Sequence, residues 1–239
     1  MGWNSWNHLA CDVSEQLIRE TADAMVASGM RDAGYQYKTC QGRPGSYGQE
    51  AQDARTFAAW GGDYVKVDWC YADTLDAVTQ YTTVRDALRS ANRPIVLSIC
   101  EWGQNHPWSW AADVGQLWRT TTDIEDKRTS VLDNPDINSQ YAHAAGPGHR
   151  NDPDMLEVGN GGMTWDEYRA HFSLWAIMAA PLMAGNDLRR MDDSTCAILL
   201  NREVIAVDQD SLGIQPRVVG RRSRDEPRTR HAPQRRGCA

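Results

Sequence analysis

The run Asp63-Tyr-Val-Lys-Val-Asp-Trp-Cys70 limits the fold of this 239-residue chain more than any other stretch. Tyr64, Val65 and Val67 give it the β-branched and aromatic character of a strand, and Gly61-Gly62 punctuate its start. A buried strand ordinarily ends in apolar residues or a turn. This one carries Lys66 inside and Asp68 at its C-terminal end, beside Trp69 and Cys70. A charge in such a place needs a partner or a task. In barrels of alternating strands and helices, the carboxyl ends of the strands carry the chemistry. The plainer alternative is an aspartate that caps the next helix.

The flanking segments alternate in the same way. Ser14 is a natural N-cap for a helix over 14–28, with Leu17, Ile18, Met25 and Val26 on one face and Gly29 at its stop. A strand follows at 34–37, then a polar stretch over 38–53 and a short helix near 51–60. Val78, Tyr81, Val84 and Leu88 predict an amphipathic helix over 74–91. A strand over 94–100 runs into Glu101-Trp102, and one over 116–123 ends at Asp123. A short helix is expected at 108–112 and a third strand-like run at 154–158. Thr164 and Glu167 form a capping box for a long helix reaching 180, and 181–187 reads as the last strand and its loop. Regular alternation of this kind implies an α/β fold with a parallel sheet or barrel.

Composition narrows the function. Ten tryptophans against two phenylalanines mean either a large core or flat platforms for ring-shaped ligands. Eight arginines and only two acids lie in 217–239, so the rest of the chain is more acidic than its net charge of −7. An acidic body disfavours nucleic acid as a partner. The arginine-rich tail is expected to be disordered and without aromatics for a binding arm, and it has the character of out-of-frame sequence. No apolar run reaches the ~20 residues of a membrane span. The start, Met1-Gly-Trp-Asn-Ser-Trp6, reads as folded protein rather than a signal peptide. The six cysteines include no zinc-spaced pair, so neither a metal nor another cofactor is expected.

Polar residues recur at the strand ends: Trp6, Asp68, Glu101-Trp102, Asp123, Asp154 and Asp187. On one barrel rim, several carboxylates with arginine and tryptophan suit a sugar. Indoles stack on the apolar face of the ring, and two carboxyl groups can cleave a glycosidic bond.

Longer motifs sharpen this. Met1-Gly-Trp-Asn-Ser-Trp-Asn7, Lys66-Val-Asp-Trp-Cys70, Ser98-Ile-Cys-Glu-Trp-Gly103, Leu117-Trp-Arg-Thr-Thr-Thr-Asp-Ile124 and Gly146-Pro-Gly-His-Arg-Asn-Asp-Pro-Asp-Met-Leu-Glu-Val-Gly159 stand in this order. Together with Leu174-Trp-Ala-Ile-Met-Ala-Ala-Pro181 and Val204-Ile-Ala-Val-Asp-Gln-Asp210, they resemble the melibiase-type α-galactosidases of glycoside hydrolase family 27 over 1–213. The resemblance implies a (β/α)8 TIM barrel and retaining hydrolysis of terminal α-D-galactosides. It makes Asp68 the nucleophile and Asp123 the acid/base. Trp6, Cys40, Lys66, Glu101, Trp102, Arg119, Asp154 and Met155 fall at substrate-binding or pocket-shaping positions, and Cys40 and Cys70 at a disulfide. The implied partner is a galactoside or oligosaccharide. Family members are commonly secreted or lysosomal. Trp108, Trp110, Trp165 and Trp175 are read as core packing.

The likeness also breaks. Tyr37 joins Lys38-Thr-Cys40 directly, where the family places the rest of strand 2, helix 2 and strand 3, about 45 residues at roughly 30 per βα unit. Paired strand-2 aspartates and a strand-3 tyrosine are thereby lost, and Cys11 is left without its partner. Arg150 replaces a tryptophan, and the family's C-terminal β-sandwich domain is missing. The expected organisation is an incomplete TIM barrel over 1–216 and a disordered tail over 217–239. A β-L-arabinopyranosidase of the same family, and a non-catalytic sugar-binding remnant, are the alternatives.

Overall fold

The computed structural model describes residues 2–3, 40 and 45–220. The helix and strand expected at 14–28 and 34–37, Trp6, Cys11 and most of the tail lie outside the described residues.

The described residues alternate strand and helix. In chain order they are β1 (Gly2–Trp3), α1 (Glu50–Ala59), β2 (Tyr64–Asp68), α2 (Ala77–Ser90) and β3 (Val96–Cys100). After β3 come β4 (Leu117–Arg119), α3 (Arg128–Asn138), β5 (Arg150–Asp152), α4 (Trp165–Ile177), β6 (Met183–Ala184), α5 (Asp193–Leu199) and α6 (Arg202–Asp208). Strands β2, β3, β4 and β5 form one parallel sheet in that order, and β1 pairs with β6, also in parallel. A bridge from Leu156, just beyond β5, to Ala184 of β6 joins the two sheets into one wall. The fold is thus α/β with parallel strands, as the alternation requires.

Two apolar clusters support this wall. Behind β2, β3 and β4, Val65, Val67, Leu97, Ile99 and Trp118 pack against Ala54 of α1 and Tyr81, Val84 and Leu88 of α2. Tyr81 is fully buried, stacks on Trp69 at 5.4 Å, and donates its hydroxyl to the Val67 carbonyl. Burying an aromatic ring contributes about 1.5–3 kcal/mol, and the bonded hydroxyl avoids the cost of an unmet polar group. The second cluster gathers Leu156, Val158, Phe172, Trp175, Leu182 and Ile198 where α4 and α5 meet the far side of the wall. The approach into β4 is tight enough to demand glycine: a Cβ on Gly115 would lie 2.9 Å from the Leu97 carbonyl oxygen.

Several elements differ from the sequence expectation. In α2, Val78 is 41% exposed, and Ala77 and Ala87 share the buried face instead. Asp76 caps this helix by accepting from the Thr79 N–H. The third strand lies at Arg150–Asp152 rather than 154–158, because Pro153 cannot donate to a sheet ladder and Asp154 turns the chain at φ +88°. The short helix at 108–112 resolves into two 3-10 turns, Pro107–Ser109 and Ala111–Asp113. Among the four tryptophans read as core, Trp175 is fully buried, Trp108 and Trp110 are half-buried, and Trp165 is exposed at the first turn of α4.

Arg150, half-buried, finds partners for its guanidinium. It donates to the carbonyls of Ala179, past the end of α4, and Asp208, the last residue of α6, at 2.7 and 3.4 Å. Carbonyls at helix C-termini carry partial negative charge and lack helical partners, so a cation there is stabilised.

Candidate active site

Strand alternation sorts β2 into two faces. Val65 and Val67 are buried against the helices, while Tyr64, Lys66 and Asp68 lie half-buried on the opposite face. The parallel register then carries that second face across the sheet. Asp68 stands opposite Cys100, Ile99 opposite Trp118, and Arg119 opposite Asp152. The last residues of four consecutive strands, Asp68, Cys100, Arg119 and Asp152, therefore form one row. A row of this composition at strand ends is a polar rim on an apolar sheet, the place where such folds put chemistry.

Arg119 ties the rim together. It is completely buried, and its Nη2 lies 3.0 Å from Asp154 Oδ2 while its Nη1 lies 3.1 Å from Asp123 Oδ1. Nη2 also donates to the Thr121 carbonyl at 3.1 Å, curling the chain after β4 back over the guanidinium. That curl places Asp123 four residues beyond the strand, with its side chain 66% exposed. The indole N–H of Trp102 donates to the same Asp123 Oδ1 at 2.8 Å. Two neighbouring strand ends thus hold one oxygen of the carboxylate at the open side of the rim.

Asp154 is the buried counter-charge. Its Oδ1 accepts from the Met155 N–H at 2.8 Å and lies 3.9 Å from Lys66 Nζ; its Oδ2 accepts from the Ile124 N–H at 2.8 Å. Burial alone would raise this carboxyl, but Arg119, Lys66 and the two backbone donors outweigh it and hold it below the usual carboxylate range. Asp152, two residues earlier, goes the other way: burial, with Asp154 beside it, raises its carboxyl despite Arg119. For Lys66 burial is the largest influence and pulls the ammonium down, yet nearby groups, Asp154 and Asp68 among them, more than offset it and keep the lysine charged.

The remaining expected residues fall as follows. Glu101 is fully buried, and both its oxygens serve its own loop, accepting from the N–H groups of Gly103 and Asn105 and from the Asn105 side chain. It bends the chain so that Trp102, at φ +54°, faces Asp123. Met155 is buried in the core behind Asp154. Cys40 and Cys70 are joined in a disulfide with Cα atoms 5.1 Å apart, pinning residue 40 to the chain just past Asp68. Tyr71, Trp102 and Asp154 all have positive φ, each shortly after a strand end on this rim. Backbone strain of this kind costs about 1–3 kcal/mol per residue and concentrates at functional sites. Sequence reasoning did not single out Cys100 or Asp152. Both were legible only through register, since each stands beside a chosen residue across one strand pair.

A cleft of about 350 Å³ lies at the opposite end of β3 and β4, lined by Arg85, Arg89, Arg93, Leu97 and Gln116. Two of its arginines serve the structure: Arg93 clamps Asp63 and the Gly61 and Gly62 carbonyls, and Arg85 reaches the Asp113 carbonyl. The carboxylate rim, not this cleft, holds the groups able to do chemistry. Among the described residues no three His, Cys, Asp or Glu side chains group as a metal site, and no helix is long and apolar enough to cross a membrane.

Known proteins share both sequence and fold. The sequence pattern of the family described as alpha galactosidase A matches residues 36–210. An alpha-galactosidase A from Cellvibrio japonicus is 47% identical over 276 residues, covering 90% of this chain and 68% of its own length. A putative alpha-galactosidase from Bacteroides fragilis superposes with a TM-score of 0.86 at 37% identity, covering 93% of this chain and 62% of that structure. The alpha-galactosidase of Saccharomyces cerevisiae, solved with raffinose, gives 0.80 at 28% identity over 90% of this chain and 65% of that one. The chain thus spans about two thirds of the length of these relatives. With its parallel sheet, its motifs and these likenesses, the chain belongs to the melibiase-type α-galactosidases, glycoside hydrolase family 27.

Proposed function

We propose that this protein is built as a retaining glycoside hydrolase for terminal α-D-galactosides, with Asp68 as nucleophile and Asp123 as acid/base. The observation that carries the reading is the pairing of a carboxylate fixed in the sheet with one held at the open rim by Trp102 and Arg119. In the first step an Asp68 oxygen attacks the anomeric carbon and the glycosidic bond breaks. The leaving oxygen takes a proton from Asp123. In the second step Asp123 removes a proton from water, which attacks the same carbon and releases Asp68, so configuration is retained. This chemistry requires the two carboxyl groups about 5–5.5 Å apart. Lys66, Arg119 and Asp154 supply donors and acceptors for sugar hydroxyls, and Trp6 a stacking face.

We further infer that the barrel is incomplete. The junction of Tyr37 with Lys38 removes the rest of strand 2, helix 2 and strand 3. The match to the Cellvibrio enzyme supports a missing segment, since it runs over 276 residues while taking in 90% of a 239-residue chain. The 217–239 segment is then a tail without a catalytic task.

The test is hydrolysis of nitrophenyl α-galactoside and nitrophenyl β-L-arabinopyranoside by the purified chain and its Asp68→Asn variant. It is run beside intact-mass detection of a glycosyl adduct from a fluorinated galactosyl fluoride. Slow cleavage of the galactoside, with an adduct on Asp68, is the expected result for a chain that lacks the segment between Tyr37 and Lys38. Preference for the arabinopyranoside reassigns the sugar. No turnover and no adduct, even at high substrate concentration, would sink the reading in favour of a non-catalytic remnant.

A further inference from the structure

Cys100 occupies a place in the rim that the two-carboxylate scheme leaves without a task. It is 1% exposed, ends β3, and stands opposite Asp68 in the register of the β2–β3 pair. On its other side Arg119 Nη1 approaches its sulfur at 3.7 Å, and that same nitrogen contacts Asp123. Among the described residues it is not part of a disulfide. We propose that Cys100 is a positioning residue for the nucleophile: its thiol donates a hydrogen bond to the Asp68 carboxylate while its sulfur accepts one from Arg119.

The chemistry of the surroundings requires this orientation. Burial pushes the thiol well above its usual range, so it keeps its proton at neutral pH. A protonated thiol between a guanidinium and a carboxylate has one arrangement that satisfies both: sulfur toward the donor-only Arg119, hydrogen toward the acceptor-only Asp68. Asp68, its partner across the strand pair, is the acceptor beside the thiol and helps to keep it protonated. Of the charged groups near the thiol, Lys66 and Arg119 are donors and Glu101 accepts from its own loop. The row Asp68–Cys100–Arg119–Asp123 is therefore a chain of contacts linking the two proposed catalytic carboxylates. A nucleophile must be aimed as well as charged, because a misplacement of about 1 Å can cost ~10²-fold in rate. A backbone-anchored donor fixes one Asp68 oxygen and leaves the other to attack.

This inference rests on the glycosidase reading for its catalytic consequence but not for the contact itself, so two measurements separate them. The S–H stretching band of Cys100, assigned by the infrared difference from Cys100→Ala, should shift toward the free-thiol position in Asp68→Ala. A band that Asp68→Ala leaves in place overturns the proposal whatever the activity. In kinetics with galactosyl fluoride, Cys100→Ala should lower kcat about tenfold with KM within about twofold. Cys100→Ser, which keeps a donor, should recover most of the loss. An unchanged kcat in Cys100→Ala also overturns it. A band shift in a chain that turns over no glycoside upholds the positioning contact and counts against the glycosidase reading alone.

Discussion

Arg119 shows at the scale of one residue how the site and the stability of the fold are linked. It satisfies Asp154 and Asp123 at once from a fully buried position. Removing one partner of a buried pair leaves the other charge uncompensated, at a typical cost of about 3–5 kcal/mol. Arg119→Met should therefore lower the urea-unfolding free energy by that order, besides abolishing turnover. Loss of activity with unchanged stability would mean that Asp154 finds another cation, with Lys66 the nearest candidate. His171 gives a pH signature. It is fully buried, its Nε2 accepts from the Glu157 N–H, and burial pushes its pKa from 6.5 down to about 3, with Asp154 opposing only in part. Below pH 6.5 the unfolded chain takes up a proton that the fold excludes, so stability falls with pH until the folded imidazole also protonates near 3. The loss from this group is up to about 1.4 kcal/mol per pH unit. In His171→Gln that component is gone. The stability gap between wild type and variant should narrow as pH drops through this window, and a gap independent of pH would show that His171 titrates normally.

At the scale of elements, local chemistry sets where helices begin. Thr164 and Glu167 close a full capping box on α4: the Glu167 N–H donates to the Thr164 hydroxyl, and the Thr164 N–H to Glu167 at 2.9 Å. Thr164→Ala should cost about 1 kcal/mol in chemical denaturation without altering the site, since the rim is built from other elements. An effect near zero would mean Glu167 alone sustains the cap. This helix, α2 and the strands that lead to Asp68, Glu101 and Asp123 were legible because periodicity and caps are local signals. Helix α3 was not. It contains Pro135 and little apolar periodicity, and it is held by tertiary contacts such as the Asn134 side chain donating to the Pro153 carbonyl at 2.9 Å. The fate of Arg150 was equally hidden, because the carbonyls that receive it belong to residues 179 and 208.

For the whole molecule, the segment proposed to be missing decides what the chain can do. If strand-2 aspartates and a strand-3 tyrosine normally hold the sugar, the chain as it stands should turn over nitrophenyl α-galactoside far below the ~1–10³ per second of ordinary enzymes. A version with about 45 residues restored between Tyr37 and Lys38 should recover it. Equal rates for the two would show that the sugar is held from the described strands alone. The motifs named the family because they are long and ordered. They could not say how the rim is wired, since hydrogen-bond partners such as Trp102 with Asp123, 21 residues apart, are set by the fold.

Among the described residues, the wall's two sheets are bridged where Leu156 meets Ala184. Strands β2 to β5 and the loops they feed bring together every described group proposed to react, all within residues 66–155. The reacting machinery is thus a cassette, nearly continuous in the chain and internally braced, mounted on a frame it meets at a seam. Damage to the frame upstream of residue 40 should weaken the grip on a sugar before it disturbs the aim of the carboxylates, so its mark should fall on KM more than on the reactivity of Asp68.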